Sequence, residues 1–213
     1  MKKLFGFTLA EVVLTMSIVG VVAAMTIPTL HYNRLKKEYT AKLKNFYSHM
    51  ENAIVDMQMD KGAFQDMNYN QGSKTIDGKD VFDWYMDTID PYMGHQYVDT
   101  ARKRIYFKDG SVLWQFYPGG CLDIWYDVNG DKGPNRMGYD NYVFLFCFSD
   151  ADRQGWFGNK EILFGTYGSE INSSETTRAQ MLNKCKTAGS ESWCSRLLQN
   201  DNWEFRSDYP YRF

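Results

Sequence analysis

The chain has almost no net charge: 24 Lys and Arg stand against 26 Asp and Glu among 213 residues. No electrostatic reason therefore favours nucleic acid or an anionic surface as a partner. Histidine is scarce too. His31, His49 and His95 stand apart, and none falls in the Cys–His or Ser–His arrangement that nucleophilic catalysis needs. Zinc-ligand spacing and a phosphate-cradling glycine loop are missing, and the carboxylates form no recognisable acid–base pair. No internal repeat or low-complexity linker breaks the sequence. These gaps argue against an enzyme and leave structural or binding roles.

Charge is rarest at the start. From Phe7 to Leu30 the run "FTLAEVVLTMSIVGVVAAMTIPTL" contains a single ionisable side chain, Glu11, in 24 residues. As a helix this run would span about 36 Å at 1.5 Å per residue, enough for a hydrocarbon core of about 30 Å. Lys2 and Lys3 ahead of it favour a cytoplasmic start. Mean hydropathy over the whole chain is nevertheless negative, so the remainder reads as a polar-surfaced soluble body. Three readings fit the run: a secretory signal cut after Ala24, since Val22-Ala23-Ala24 loosely makes a small-residue site, a plain signal anchor, or a processed assembly helix.

The third reading uses the glutamate. A carboxylate in lipid costs about 2.5–3.5 kcal/mol on insertion scales. If the chain were cut between Gly6 and Phe7, the new α-amine would lie one helical turn from Glu11. In parallel helices, the carboxylate of one subunit can neutralise the amine of the next, and a buried pair of this kind sets register. A basic leader ending in glycine, then Phe-Thr-Leu-x-Glu and about twenty apolar residues, closely resembles the class III signal of type IV pilins and type II secretion pseudopilins. The matching residues are Gly6, Phe7, Thr8, Leu9 and Glu11. Gly20 and Pro28 fall where many pilins carry helix-loosening residues. The resemblance implies cleavage after Gly6 and N-methylation of Phe7 by a prepilin peptidase. It also implies an inner-membrane assembly platform with a separate ATPase, a periplasmic or extracellular head, and a filament of self or other pilins. The resulting division is a leader at 1–6, a transmembrane or filament-core helix at 7–30, its amphipathic continuation at 31–59, and a globular head at 60–213.

Beyond Pro28, which would kink a continuing helix, Leu35, Tyr39, Leu43, Phe46, Met50, Ile54 and Met57 recur three and four residues apart. That is one apolar stripe, so a single helix is predicted from about 7 to 59, ending near Gly62. "KDVFDWYMDTIDPYM" reads as a short helix ended by Pro91. "RIYFKDGSVLWQFY" reads as a hairpin around Asp109-Gly110. "CLDIWYDV" and "YVFLFCF" read as strands. The tail offers a short helix and a last aromatic strand from Trp203 to Phe205. This order gives an α+β fold, a pilin-like long helix packed on an antiparallel sheet. The many tyrosines and tryptophans read as core and interface packing rather than a carbohydrate-binding face.

Two features remain. Asp127, Asn129 and Asp131 alternate like the first ligands of a calcium loop, and Asp140 could close the shell. Lys132 stands at the turn-glycine place and Gly138 at the bidentate-glutamate place, so this is no EF-hand. The competing reading is a tight turn. The string "DVNGxKGPNxxGxD" resembles one found in pseudopilin-like heads, and the resemblance implies Ca²⁺ there. All four cysteines lie in the second half, an even count consistent with disulfides in an oxidising compartment. The alternative is four reduced thiols. Spacing favours a short Cys185–Cys194 loop in a polar exposed stretch, worth roughly 3 kcal/mol if bridged. Cys121 and Cys147 are then left as the second pair, and the two other pairings stay open. The leading expectation is a pilin or pseudopilin subunit. The alternative is a membrane-anchored periplasmic binding module, for example lectin-like, that never polymerises.

Overall fold

The computed structural model describes residues 6–168 and 176–212. Leader residues 1–5, with Lys2 and Lys3, lie outside the described residues. A helix α1 (Leu9–Lys61) begins at Thr8 and ends at Gly62, whose φ of 97° suits glycine. Pro28 lies inside it, and the helix continues through. The hydroxyls of Ser17 and Thr26 donate to the carbonyls of Val13 and Val22, at 2.8 and 2.9 Å. Polar side chains of the apolar half thus close on their own backbone.

The second half of α1 buries the predicted stripe. Tyr39, Leu43, Phe46, Met50, Ile54 and Met57 are buried together with Ala53, and Leu35 is partly so. They pack against a six-stranded antiparallel meander: β4 (Tyr97–Asp99), β5 (Arg104–Tyr106), β6 (Val112–Pro118), β7 (Leu122–Asp127), β8 (Asn141–Phe146) and β9 (Phe164–Thr166). Each of these strands pairs with its sequence neighbour. A smaller sheet of β1 (Tyr69–Asn70), β2 (Thr75–Ile76) and β3 (Lys79–Asp80) precedes it.

Register explains burial. Tyr126 opposes Tyr142, and Ile124 opposes Phe144. These residues face α1, where Phe46 stacks on Tyr126 at 4.0 Å and tilts on Phe144 at 5.1 Å. The opposite face of β8 is covered as well: Val143 and Leu145 join Cys121, Cys147 and Phe157 in a second cluster. Phe157 comes from α4 (Asp150–Phe157), which lies over that face. Being covered on both sides, β8 reads as an unbroken apolar run.

Asp109-Gly110 does turn the hairpin. Gly110 takes φ 82°, its N–H donates to Phe107 O at 3.0 Å, and Tyr106 pairs with Val112. Two expectations need correction. Pro91 does not end a helix. After α2 (Val81–Thr88), it sits in the first turn of α3 (Asp90–Met93), where its missing N–H is no loss. Residues Trp203 to Phe205 form no strand. Asn202 and Trp203 have φ of 54° and 66°, and the Trp203 N–H closes the end of α6 (Trp193–Asn200) on Leu198 O. The Trp203 ring packs on Tyr47, 5.1 Å away.

Candidate functional site

Gly6 and Phe7 lie ahead of α1 in non-helical chain, and Phe7 is exposed. Thr8 and Glu11 form a capping box. The Thr8 N–H and hydroxyl both donate to Glu11 Oε2 at 2.8 Å, and the Glu11 N–H donates to Thr8 Oγ1 at 3.3 Å. Sequence reasoning gave Glu11 an intermolecular partner and missed this local one, although Thr-x-x-Glu before an apolar run is its signature. The side chains that follow, among them Leu14, Ile18, Val19, Val22 and Ile27, are exposed. A Cβ at Gly20 would meet no atom beyond its own helix backbone within 4 Å. This half of α1 is long and apolar enough to cross a membrane, and the head leaves it uncovered.

The loop joining β7 to β8 holds the four oxygen-bearing residues in two places. Asp140 is fully buried, and it accepts from the backbone N–H groups of Asn135 (2.8 Å) and Arg136 (2.6 Å). The Asn129 amide donates to it as well, at 3.3 Å. Asp127 accepts from the Asn129 N–H at 3.0 Å. With its amide oxygen and nitrogen exchanged, the assignment its neighbours favour, Asn135 donates to Asp127 Oδ2 at 3.1 Å. Burial, reinforced by the nearby Asp140 charge, pushes the Asp127 carboxyl up to about 7. The loop is tied to α1: Asn129 donates to Tyr39 Oη at 2.9 Å, and Lys42 Nζ donates to Val128 O at 2.9 Å.

Asp131 stands apart. Mostly exposed, it pairs with Arg104 Nη1 at 2.6 Å and accepts from Tyr106 Oη at 3.0 Å. The structure thus brings Asp127, Asn129 and Asp140 together and turns Asp131 away. Calcium takes six to eight oxygens, whereas here both Asp140 oxygens already accept backbone N–H groups. Among the described residues no group of three or more His, Cys, Asp or Glu could hold a metal ion. The present residues build a hydrogen-bonded turn, in which Asn129 Oδ1 is buried without a hydrogen-bond partner among the described residues.

Both expected disulfides form, Cys121–Cys147 and Cys185–Cys194. The first ties the residue before β7 to the residue after β8. The second ties α5 (Arg178–Lys186) to α6. Both of its cysteines are fully buried, whereas residues 186–189 of the short loop that it closes are exposed. The Asp127–Asp140 loop lies over it. Gly138, at φ 78°, has no room for a Cβ, which would stand 2.6 Å from both Cys194 Sγ and the Tyr211 ring.

A long helix, apolar and uncovered in its first half and packed on an antiparallel meander in its second, defines an α+β chain of pilin-like architecture. By sequence the chain belongs to a family of unknown function, DUF6613, whose family model matches residues 29–213. No curated protein and no solved structure matches the chain.

Proposed function

We propose that the chain is a structural subunit of a type IV pilus-like or type II secretion pseudopilus filament. It is cut after Gly6, held in the inner membrane by the apolar half of α1, and assembled through bundling of that helix. The observation carrying this reading is the uncovered half of α1 with a single acid near its start. An isolated subunit leaves those side chains to lipid, and a bundle of copies would bury them against one another. Lipid is as apolar as leucine, so the drive for bundling comes from packing and from polar contacts such as Glu11 with a neighbour's amine. The two disulfides accord with a head outside the cytoplasm. A prepilin peptidase, an assembly platform and its ATPase are the partners this reading requires.

The capping box sharpens the test. Glu11→Gln keeps a side-chain acceptor for Thr8 and removes the charge, whereas Glu11→Leu removes both. Mature chain starting at Phe7 by intact mass, with assembly lost in both variants and membrane insertion kept, is the expected result. Normal assembly by Glu11→Gln would reduce Glu11 to a helix cap. Residues 1–6 still present on mature protein would leave no amine to pair.

A further inference from the structure

A cavity of about 400 Å³ opens on the head between α1, the end of α3 and the β5–β6 hairpin. It lies within the range of small-molecule sites. Its floor is aromatic: Phe46 and Tyr126, stacked at 4.0 Å, with Phe107 at 6.2 and 6.5 Å from them. Its rim is polar and supplied by three separate elements. Asn45 and His49 come from α1, His95 from beyond α3, and Lys108, Asp109 and Ser111 from the hairpin.

The rim carries two opposite charges, side by side at the hairpin tip. Lys108 has no hydrogen-bond or ion-pair partner among the described residues, and neither does His49. Asp109 accepts from Ser111 N–H and Oγ, at 3.0 and 2.5 Å, and is therefore held in place by its own turn. On the opposite side, His95 Nδ1 lies 2.5 Å from Asp90 Oδ2. Asp90 is buried, so it fixes the imidazole and leaves Nε2 without a partner among the described residues. Phe46 and Tyr126 are buried and Phe107 half-buried, so a flat apolar body in the cavity would take its ring contact from Phe107. A cation and an anion on adjacent rim residues match a ligand that carries both.

We propose that this cavity binds a free aromatic α-amino acid, its ring against Phe107 above the buried Phe46 and Tyr126, its carboxylate toward Lys108 and its ammonium toward Asp109. This is independent of filament assembly, since the apolar half of α1 takes no part.

The test uses the full chain in detergent micelles, with saturation-transfer NMR corrected by a micelle blank. The probes are L-phenylalanine, 3-phenylpropanoate, which lacks the ammonium, and 2-phenylethylamine, which lacks the carboxylate. L-Phenylalanine is expected to bind with Kd on the order of 1 mM, the scale a small fragment reaches, and each analogue several-fold more weakly. Lys108→Met should erase the preference over 2-phenylethylamine. Asp109→Asn, which keeps an oxygen for Ser111, should erase the preference over 3-phenylpropanoate. His49→Trp on the exposed face of α1 should fill the mouth and abolish binding without lowering Tm. Equal or tighter binding of either analogue, undiminished binding by His49→Trp, or no signal from L-phenylalanine at about 10 mM overturns the proposal.

Discussion

Asp123 shows how a single side chain sets a pH response. It sits on β7 with no hydrogen bond or ion pair among the described residues, and burial alone pushes its carboxyl up to about 7. Asp127 rises to a similar value from the same cause. An unfolded aspartate titrates near 3.9, so between about pH 4 and 7 the folded chain binds more protons than the unfolded one. Stability then falls as pH rises through that window, the reverse of the usual salt-bridged aspartate. Asp123→Asn removes the charge at nearly constant volume. It is expected to raise Tm most at pH 8, by less at pH 5 and hardly at all near pH 3, flattening the slope between about pH 4 and 7; thermal melts from pH 3 to 8 check it. A variant melting below wild type at pH 8 would mean that the carboxylate has a partner. The same scale explains Gly138, which serves twice: its φ of 78° suits glycine and its missing side chain lets the loop lie on Cys194.

At the scale of elements, the second half of α1 is the ridge on which the meander is laid. Phe46 alone touches Tyr126, Phe144, Phe107 and Phe164. Phe46→Ala should cost about 3–5 kcal/mol, the range for deleting a buried ring. Val55→Ala, on the exposed side of the same helix, should stay under about 1 kcal/mol. Denaturant midpoints measure both, and similar losses would contradict the helix orientation. That orientation was legible because Tyr39, Leu43, Phe46 and Met50 follow the helical period. Strands β6, β7 and β8 were legible from alternation or from continuous apolar content bounded by turns. The helices α4 and α5 were not foreseen, although Ser149 and Thr177 cap them with side-chain acceptors. Strand β9 is three residues long, and only its partner β8 defines it. Trp203 looked like a strand residue because its stretch is aromatic, whereas its backbone is spent on closing α6. The cavity was beyond reach of any window, since residues 45–49, 93–95 and 107–111 meet only in the folded head.

For the whole molecule, the chain divides at about the middle of α1 into parts held by different solvents. From Leu35 onward the helix shares its apolar face with the head. Before that point the exposed side chains gain nothing from the head, so their energetics are set by lipid or by neighbouring copies. Sites this far apart, with no shared partners, should be additive. The double substitution Ile18→Ala with Val22→Ala removes apolar surface from two exposed positions. It is expected to leave the head's Tm unchanged within about a degree while reducing the recovery of sedimentable assemblies, because the lost contacts would be between copies. Melting followed by near-ultraviolet circular dichroism, which reports the packed aromatics, separates the two effects in one sample. A lowered head Tm would show that the apolar half folds back on the head, and the division at the middle of α1 would then fail. Unchanged Tm with unchanged assembly would leave the half-helix as an anchor alone.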